Sequence, residues 1–174
     1  MAPEPLDEID RKILAALQKA GRMPNTELAD AVGLSPSQSL RRVRRIEGLG
    51  VVRGYVALLN REAVGLEVAA FIRVTLEKHD PKLAEGFERS IQKIPEVLEC
   101  YALTGEADYL LRVVAPTVKG YSDILMNKLR GLPGVTSLNT SVVLMEIKQT
   151  TALPLDYLRG TQRRLSSARV SAKS

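Results

Sequence analysis

Residues 34–45 read LSPSQSLRRVRR and place four arginines, Arg41, Arg42, Arg44 and Arg45, in five positions. On one helix such like charges repel by roughly 0.2–0.5 kcal/mol per pair, and a neighbouring anion removes that cost. A guanidinium fork pairs bidentately with guanine and a glutamine amide with adenine, while contacts to phosphate position a protein without reading sequence. The chemistry on offer is therefore recognition of a nucleic acid. Spacing assigns base or near-base contact to Ser37, Gln38, Arg41 and Arg42, and phosphate contact to Arg44 and Arg45. Ser35 stands at the start of the same surface. The bland alternative is a solvated charged face with Glu47 taking up one arginine.

Catalytic chemistry finds less support. The single histidine, His79, stands beside Pro81 in an expected loop, and the single cysteine, Cys100, falls in a strand expected to be buried. No nucleophile and base are brought together, so an enzyme is not expected. One Cys and one His also leave no disulfide framework and no ordinary zinc cluster, and no metal or cofactor is expected.

The arginines need a frame. Leu6, Ile9, Ile13, Leu14 and Leu17 recur at helical spacing, with Asp7 as N-cap and Gly21 as exit, which predicts a helix over about 7–20. NTELADAV predicts a second, short helix over 25–32 that Gly33 ends. Ser35 caps a third, with Pro36 at its first position and Gln38 completing an S-x-x-Q capping box. Leu40, Val43 and Ile46 are its expected inward stripe. Three short helices with a tight turn between the last two form a helix-turn-helix, at about 25–44, whose last helix enters the major groove. If Gln38 closes the capping box it is less free to read adenine, which shifts the weight of base reading to Arg41 and Arg42.

The middle of the chain repeats itself. FIRV at 71–74 returns as LLRV at 110–113, and Ile94-Pro95-Glu96-Val97 returns as Leu132-Pro133-Gly134-Val135. Two matches at nearly one offset indicate a duplicated strand–helix–strand unit. The order βαββαβ predicts a ferredoxin-like sandwich with four antiparallel strands and two helices on one face. Its bare face needs a cover, and a second copy of the chain is the economical one. The expected class is α+β. Residues 1–50 form the DNA-binding domain, 51–65 a hinge strand and linker, 66–150 the sandwich, and 151–174 a basic, Ser-rich tail expected to be disordered.

Composition agrees. In 174 residues, 45% are hydrophobic and only 4% aromatic, so the cores must be aliphatic. The net charge of +5 is uneven: residues 151–174 hold five basic side chains against one acid, while residues 65–150 hold ten against eleven. MAPEPLDEID lacks the apolar run of a signal peptide and no stretch approaches a membrane span. The expected place is a reducing cytoplasm.

The stretches LDEIDRKILAALQKAGR, NTELADAVGLSPSQSLRRVRRIEGLGVVRGYVALLN, ECYALTGEADYLLRV and LPGVTSLNTSVVLMEIKQTTALPL resemble the Lrp/AsnC, or feast/famine, regulators, in order and distance, over residues 6 to about 155. That resemblance implies a transcriptional regulator that dimerises through its C-terminal domain, assembles to tetramers or octamers, and binds an amino-acid effector, leucine or another small apolar one. The effector site it implies lies near the turn of Thr104, Gly105, Glu106, Ala107 and Asp108, where the pattern G-[DE]-x-D-[YF] is kept by Gly105, Glu106, Asp108 and Tyr109. Val118, Thr136, Thr140 and Ser141 are further pocket candidates. Asp108 offers a carboxylate to a ligand ammonium and Gly105 close backbone approach. A purely local role, Gly105 shaping the hairpin and Asp108 capping it, fits the same residues. A DNA-organising protein of this fold without an effector is the alternative reading. Ser39 departs from many relatives, which carry cysteine there.

Overall fold

The computed structural model describes residues 6–77 and 80–158. His79 and residues 159–174 of the expected tail lie outside the described residues. Two compact units emerge, one of residues up to Ala57 together with those from Gln149 onward, the other Leu58–Lys148.

In the first unit, α1 (Glu8–Lys19) opens on a capping box: the Asp10 N–H donates to Asp7 Oδ1 at 2.8 Å and the Asp7 N–H to Asp10 Oδ2 at 2.9 Å. α2 (Asn25–Val32) exits through Gly33, whose φ of +72° is the left-handed conformation that turns the chain into α3. α3 (Pro36–Gly48) is capped by Ser35. Ile13, Leu14, Leu28, Val32 and Ile46 form the core between the three helices. Each helix is short and marginal alone, so burial of this shared apolar face is what holds them.

One expectation about α3 fails. Spacing puts Leu40 on the buried side, but Ser39 is fully buried and Leu40 is 39% exposed. A hydroxymethyl at the inner position permits close packing of α3 on its neighbours, and the bulkier Leu40 is turned one position outward.

The second unit contains β1 (Val68–Leu76), α4 (Pro81–Ile91), β2 (Val97–Ala102), β3 (Tyr109–Ala115), α5 (Val118–Asp123, continued by a π-helical turn at Ile124–Leu129) and β4 (Val135–Val142). The sheet order is β2-β3-β1-β4, all neighbours antiparallel, as the duplicated strand–helix–strand pattern requires. Ala70, Ile72, Val74 and Leu76 alternate inward on β1 and join Leu111 and Val113 of β3, with Phe87, Ile91, Ile124 and Leu129 from the helices, in one core. The opposite face shows Phe71 and Tyr101 to solvent.

Three further expectations change. The hinge strand is not a strand here: residues 53–60 take no regular structure, because among the described residues no other segment offers them a ladder of N–H and C=O groups, and a 3-10 turn at Glu62–Val64 leads on to β1. Cys100 is exposed rather than buried, because β2 is an edge strand. The segment 151–158 does not behave as the start of a disordered tail. Leu155 and Leu158 pack against the core of the first unit, and Gln18 of α1 pairs with the backbone of Leu153 in both directions.

Candidate DNA-reading helix and effector turn

The cap fixes what α3 can present. Gln38 donates its N–H to Ser35 Oγ at 3.4 Å, and its side-chain Oε1 accepts the Ser35 N–H at 3.2 Å. Ser35 Oγ lies a further 3.2 Å from Ser37 Oγ. The competition expected for Gln38 is resolved toward capping, since its amide oxygen is folded back on the helix start. Asn25 ties the two helices of the turn together by donating Nδ2 to the Pro36 carbonyl at 2.8 Å.

The four arginines divide differently from their spacing-based roles. Arg42 Nη1 donates to Asp7 Oδ2 at 2.7 Å and to Asp10 Oδ1 at 2.8 Å, and Arg45 Nη2 donates to Asp10 Oδ2. The Asp10 side chain is wholly removed from solvent. Such a carboxylate is tolerable in a helical core only when its charge is matched and its lone pairs are filled. Two guanidinium groups and the Asp7 N–H do both. Partial burial pushes the Asp7 carboxyl up, but the Asp10 N–H and the Arg42 guanidinium outweigh it and hold that carboxyl below the usual range. The Arg42 guanidinium, bonded to Asp7 and Asp10, is held the more firmly charged.

Arg41 and Arg44 are exposed, on the side of α3 that also carries Leu40 and Ser37. The inner position at Ser39 sets this phase: with 39, 42/43 and 46 inward, 37, 40/41 and 44 face out. Sequence reasoning missed Leu40 as an outward apolar group and missed Asp7 and Asp10 as partners of the arginines. Asp7 was legible only as a cap. Nothing in the local pattern signals an ion pair to residues more than thirty positions away.

At the turn between β2 and β3, the Leu103 N–H donates to the Asp108 carbonyl at 2.8 Å and closes a loop whose Gly105 has φ +117°. That value lies where side chains are disfavoured, so the hairpin itself requires the glycine. Asp108 Oδ2 accepts the Leu76 N–H at 2.7 Å, and the Asp108 N–H donates to the Val74 carbonyl at 3.0 Å. These bonds meet where the β1–β4 register shifts, between Thr75 and Leu76. One carboxylate oxygen of Asp108 thus has a structural bond, and its residue also lines an open cleft of about 630 Å³ with Leu76, Glu77, Asp80, Pro81, Ala84, Ala102 and Tyr109. Glu77 and Asp80 were not among the sequence-based candidates. Tyr109 donates its hydroxyl to Glu88 at 2.8 Å, and burial followed by that carboxylate pushes its pKa to about 12.

The remaining effector candidates are not gathered at this cleft. Thr104, Gly105 and Glu106 are exposed at the turn, and Thr136 donates Oγ1 to the Thr75 carbonyl at the same end of the sheet. Thr140 and Ser141 are successive residues of β4 and so point to opposite faces. Val118 comes after β3 whereas the turn precedes it, so a whole strand separates them. Among the described residues no group of three or more His, Cys, Asp or Glu is arranged to hold a metal, and no helix is long and apolar enough to cross a membrane.

Comparison with known proteins matches residues 6–47 to the AsnC-type helix-turn-helix domain and residues 69–153 to the Lrp/AsnC ligand binding domain. The leucine-responsive regulatory protein of Escherichia coli is 43% identical over 148 residues, which cover 85% of this chain and 90% of that protein. Among solved structures, a transcriptional regulator from Neisseria meningitidis, in complex with L-Met, aligns with a TM-score of 0.85 and 47% identity, covering 88% of this chain and 99% of that one. An AsnC family regulator from Agrobacterium tumefaciens aligns with a TM-score of 0.83 and 35% identity, covering 87% and 99%.

Proposed function

The chain belongs to the Lrp/AsnC family of transcriptional regulators, and we propose that it reads duplex DNA with the outward side of α3 while a small apolar amino acid acts through the second unit. It is a DNA-binding, effector-responsive regulator and not an enzyme. Arg41 and Arg44 supply its outward cations, Ser37 a polar contact, and Leu40 an apolar surface suited to a thymine methyl. Arg42 and Arg45 hold α3 on α1 through Asp7 and Asp10, so that the reading side has one orientation. The observation that carries this reading is the division of the arginine cluster: two arginines are matched by carboxylates and two face solvent beside a capped helix start.

The cleft at Asp108 supports the effector part. Its volume suits a small ligand, its carboxylates offer partners to an ammonium, and Leu76, Pro81 and Ala84 offer an apolar wall. The effector candidates scattered outside the cleft fit a site completed by a neighbouring copy. The bare face of the sheet, with Phe71 and Tyr101, is the surface we assign to the homodimer, and further assembly to tetramers or octamers accords with the family habit. The leucine named in one relative and the L-Met bound in another are the two effectors to try first. An effector acts here only as far as it binds one assembly state better than another. We place the protein in the cytoplasm, on the nucleoid.

The test is selection of bound sequences from a random duplex pool, then footprinting with and without L-leucine and L-methionine. A roughly palindromic site whose protection changes with either amino acid is the expected result. Protection that is sequence-independent and indifferent to all twenty amino acids would instead mark a DNA-organising protein without an effector.

A further inference from the structure

We propose that the exit of α1, from Leu17 to Gly21, is the point at which the second unit acts on the reading helix: the chain entering that unit is fastened there through Tyr55 and the chain leaving it through Leu153, and Tyr55 reaches on to α3. Tyr55 and Gln18 are thus positioning residues for the DNA-reading side. The proposal rests on the effector-responsive reading above and names the route by which the response travels.

The first fastening is Tyr55. Residues 53–60 take no regular structure, yet this one side chain is held on two sides. Its hydroxyl donates to Glu47 Oε1, in the last turn of α3, at 2.8 Å. Burial, then that carboxylate, push the hydroxyl's pKa up to about 12, so it stays a donor throughout the neutral range. Its ring lies on Gly21, where an added β-carbon would come within 3.2 Å of Tyr55 Cδ1. Gly21 does not take the left-handed backbone that favours glycine. The seat of the ring is therefore what constrains that position.

The second fastening is Gln18. Leu153 donates its N–H to Gln18 Oε1 at 2.6 Å and accepts from Gln18 Nε2 at 3.1 Å, so one side chain stands in for a neighbouring strand. Leu155 and Leu158 follow it onto the core of the three helices, and Val52 joins that core just before Tyr55. Gln18 and Gly21 fall within a single helical turn's length of each other. Both connecting segments are held at one end of α1.

The same two segments start from one place in the second unit. β1 begins at Val68 and β4 ends at Val142, side by side, and the Val143 N–H donates to the Ala69 carbonyl at 2.9 Å. The other end of this strand pair carries the register shift at Thr75 and Leu76, where Asp108 accepts the Leu76 N–H beside the cleft. A ligand in the cleft that favours one arrangement of the β1–β4 pairing displaces both segments together. Both then pull on the end of α1. α3 follows through Tyr55 and Glu47, and through the hold that Asp10 of α1 has on Arg42 and Arg45.

The experiment uses the full chain and the variants Tyr55→Phe, Gly21→Ala and Gln18→Ala on a duplex selected by the wild type. Titrations with and without saturating L-leucine or L-methionine, whichever shifts wild-type affinity more, give a coupling ratio, and calorimetry without DNA gives the affinity for the amino acid. Such couplings are typically about 5–150-fold, and residues that carry them change the ratio by roughly two- to thirty-fold. Each variant should move the ratio that far toward one and bind the amino acid as the wild type does. Glu47→Gln, which still accepts the Tyr55 hydroxyl, should keep the wild-type ratio, and Glu47→Leu should lose it as Tyr55→Phe does. Tyr55 is 47% exposed, so losing its hydroxyl leaves the core intact, and circular dichroism checks the fold of every variant. A ratio kept by either Tyr55→Phe or Gln18→Ala overturns the two-point junction, even where melting temperature or affinity falls, because the contact then only supports the fold. Weaker binding of the amino acid by the variants also overturns it, since it would place these residues at the effector site. If the wild type responds to none of the twenty amino acids, the effector reading fails and the junction, with nothing to carry, fails with it; a wild-type response that survives in the variants removes the junction alone.

Discussion

Asp10→Asn is the sharpest probe of how α3 is held. The Asp10 side chain is wholly buried and accepts from Arg42, Arg45 and the Asp7 N–H. Asparagine keeps the shape and one acceptor oxygen, but removes the charge and turns an NH2 toward a guanidinium. Breaking a buried pair by removing one partner costs about 3–5 kcal/mol. Arg42 and Arg45 are about a quarter exposed and can turn part of their charge to water, which brings the expected loss to about 2–3 kcal/mol. For a unit of this size that lowers its unfolding midpoint by roughly 10–20 °C. Circular dichroism melting gives the single-variant loss, and urea unfolding of Asp10→Asn, Arg45→Met and the double variant gives the coupling. The substitutions should be sub-additive by about 1.5 kcal/mol or more, because once Arg45 is gone the carboxylate has less to neutralise. Additivity within about 0.5 kcal/mol would refute the claim that Asp10 positions the helix through its arginines.

The same geometry yields three other outcomes. Arg41→Ala should relax preference at one position of each half-site, by roughly 1–3 kcal/mol for a lost base contact, whereas Arg42→Ala should lower stability first; competition binding and melting on each variant separate the two. Asp108→Ala should abolish any rise in melting temperature produced by L-leucine or L-methionine, which for a site saturated a hundredfold above Kd is worth about 2.7 kcal/mol; an undiminished ligand effect removes Asp108 from the site. Acid should destabilise both units, because three carboxyls lie below their ordinary range: Glu96 beside Lys128, Glu99 beside Arg112, and Asp7 through the Asp10 N–H and Arg42, against the upward push of its own burial. Depressed carboxylates contribute stability that is present above their unfolded values, near 4, and lost as pH falls through the lower folded ones. The urea midpoint should therefore be level between about pH 6 and 8 and fall below about pH 4.5, and Glu96→Gln with Glu99→Gln should flatten part of that fall.

The sequence by itself determined the three helices of the first unit and the strand–helix order of the second, but not the state of the hinge between them. Asp7, Gly33 and Ser35 with Gln38 act on backbone groups within a few residues of themselves, so the three helix boundaries could be read locally. The repeated FIRV/LLRV and I/L-P-x-V pairs carried the βαββαβ order, because a strand's inward alternation and a proline turn are also local. The Gly105 turn was legible for the same reason. Tertiary structure alone decided which way α3 faces. Leu40 is the more apolar residue, yet Ser39 is the one small enough to be buried, and that single step in phase sends Arg42 and Arg45 to Asp7 and Asp10 and leaves Arg41 and Arg44 outside. It also decided that Leu153, Leu155 and Leu158 return to α1, and that the cleft at Asp108 includes Glu77 and Asp80. Those outcomes join residues up to 135 positions apart, and periodicity, which reports only on neighbours within a turn or two, carries no information about which distant side chain will answer a charge or fill a core.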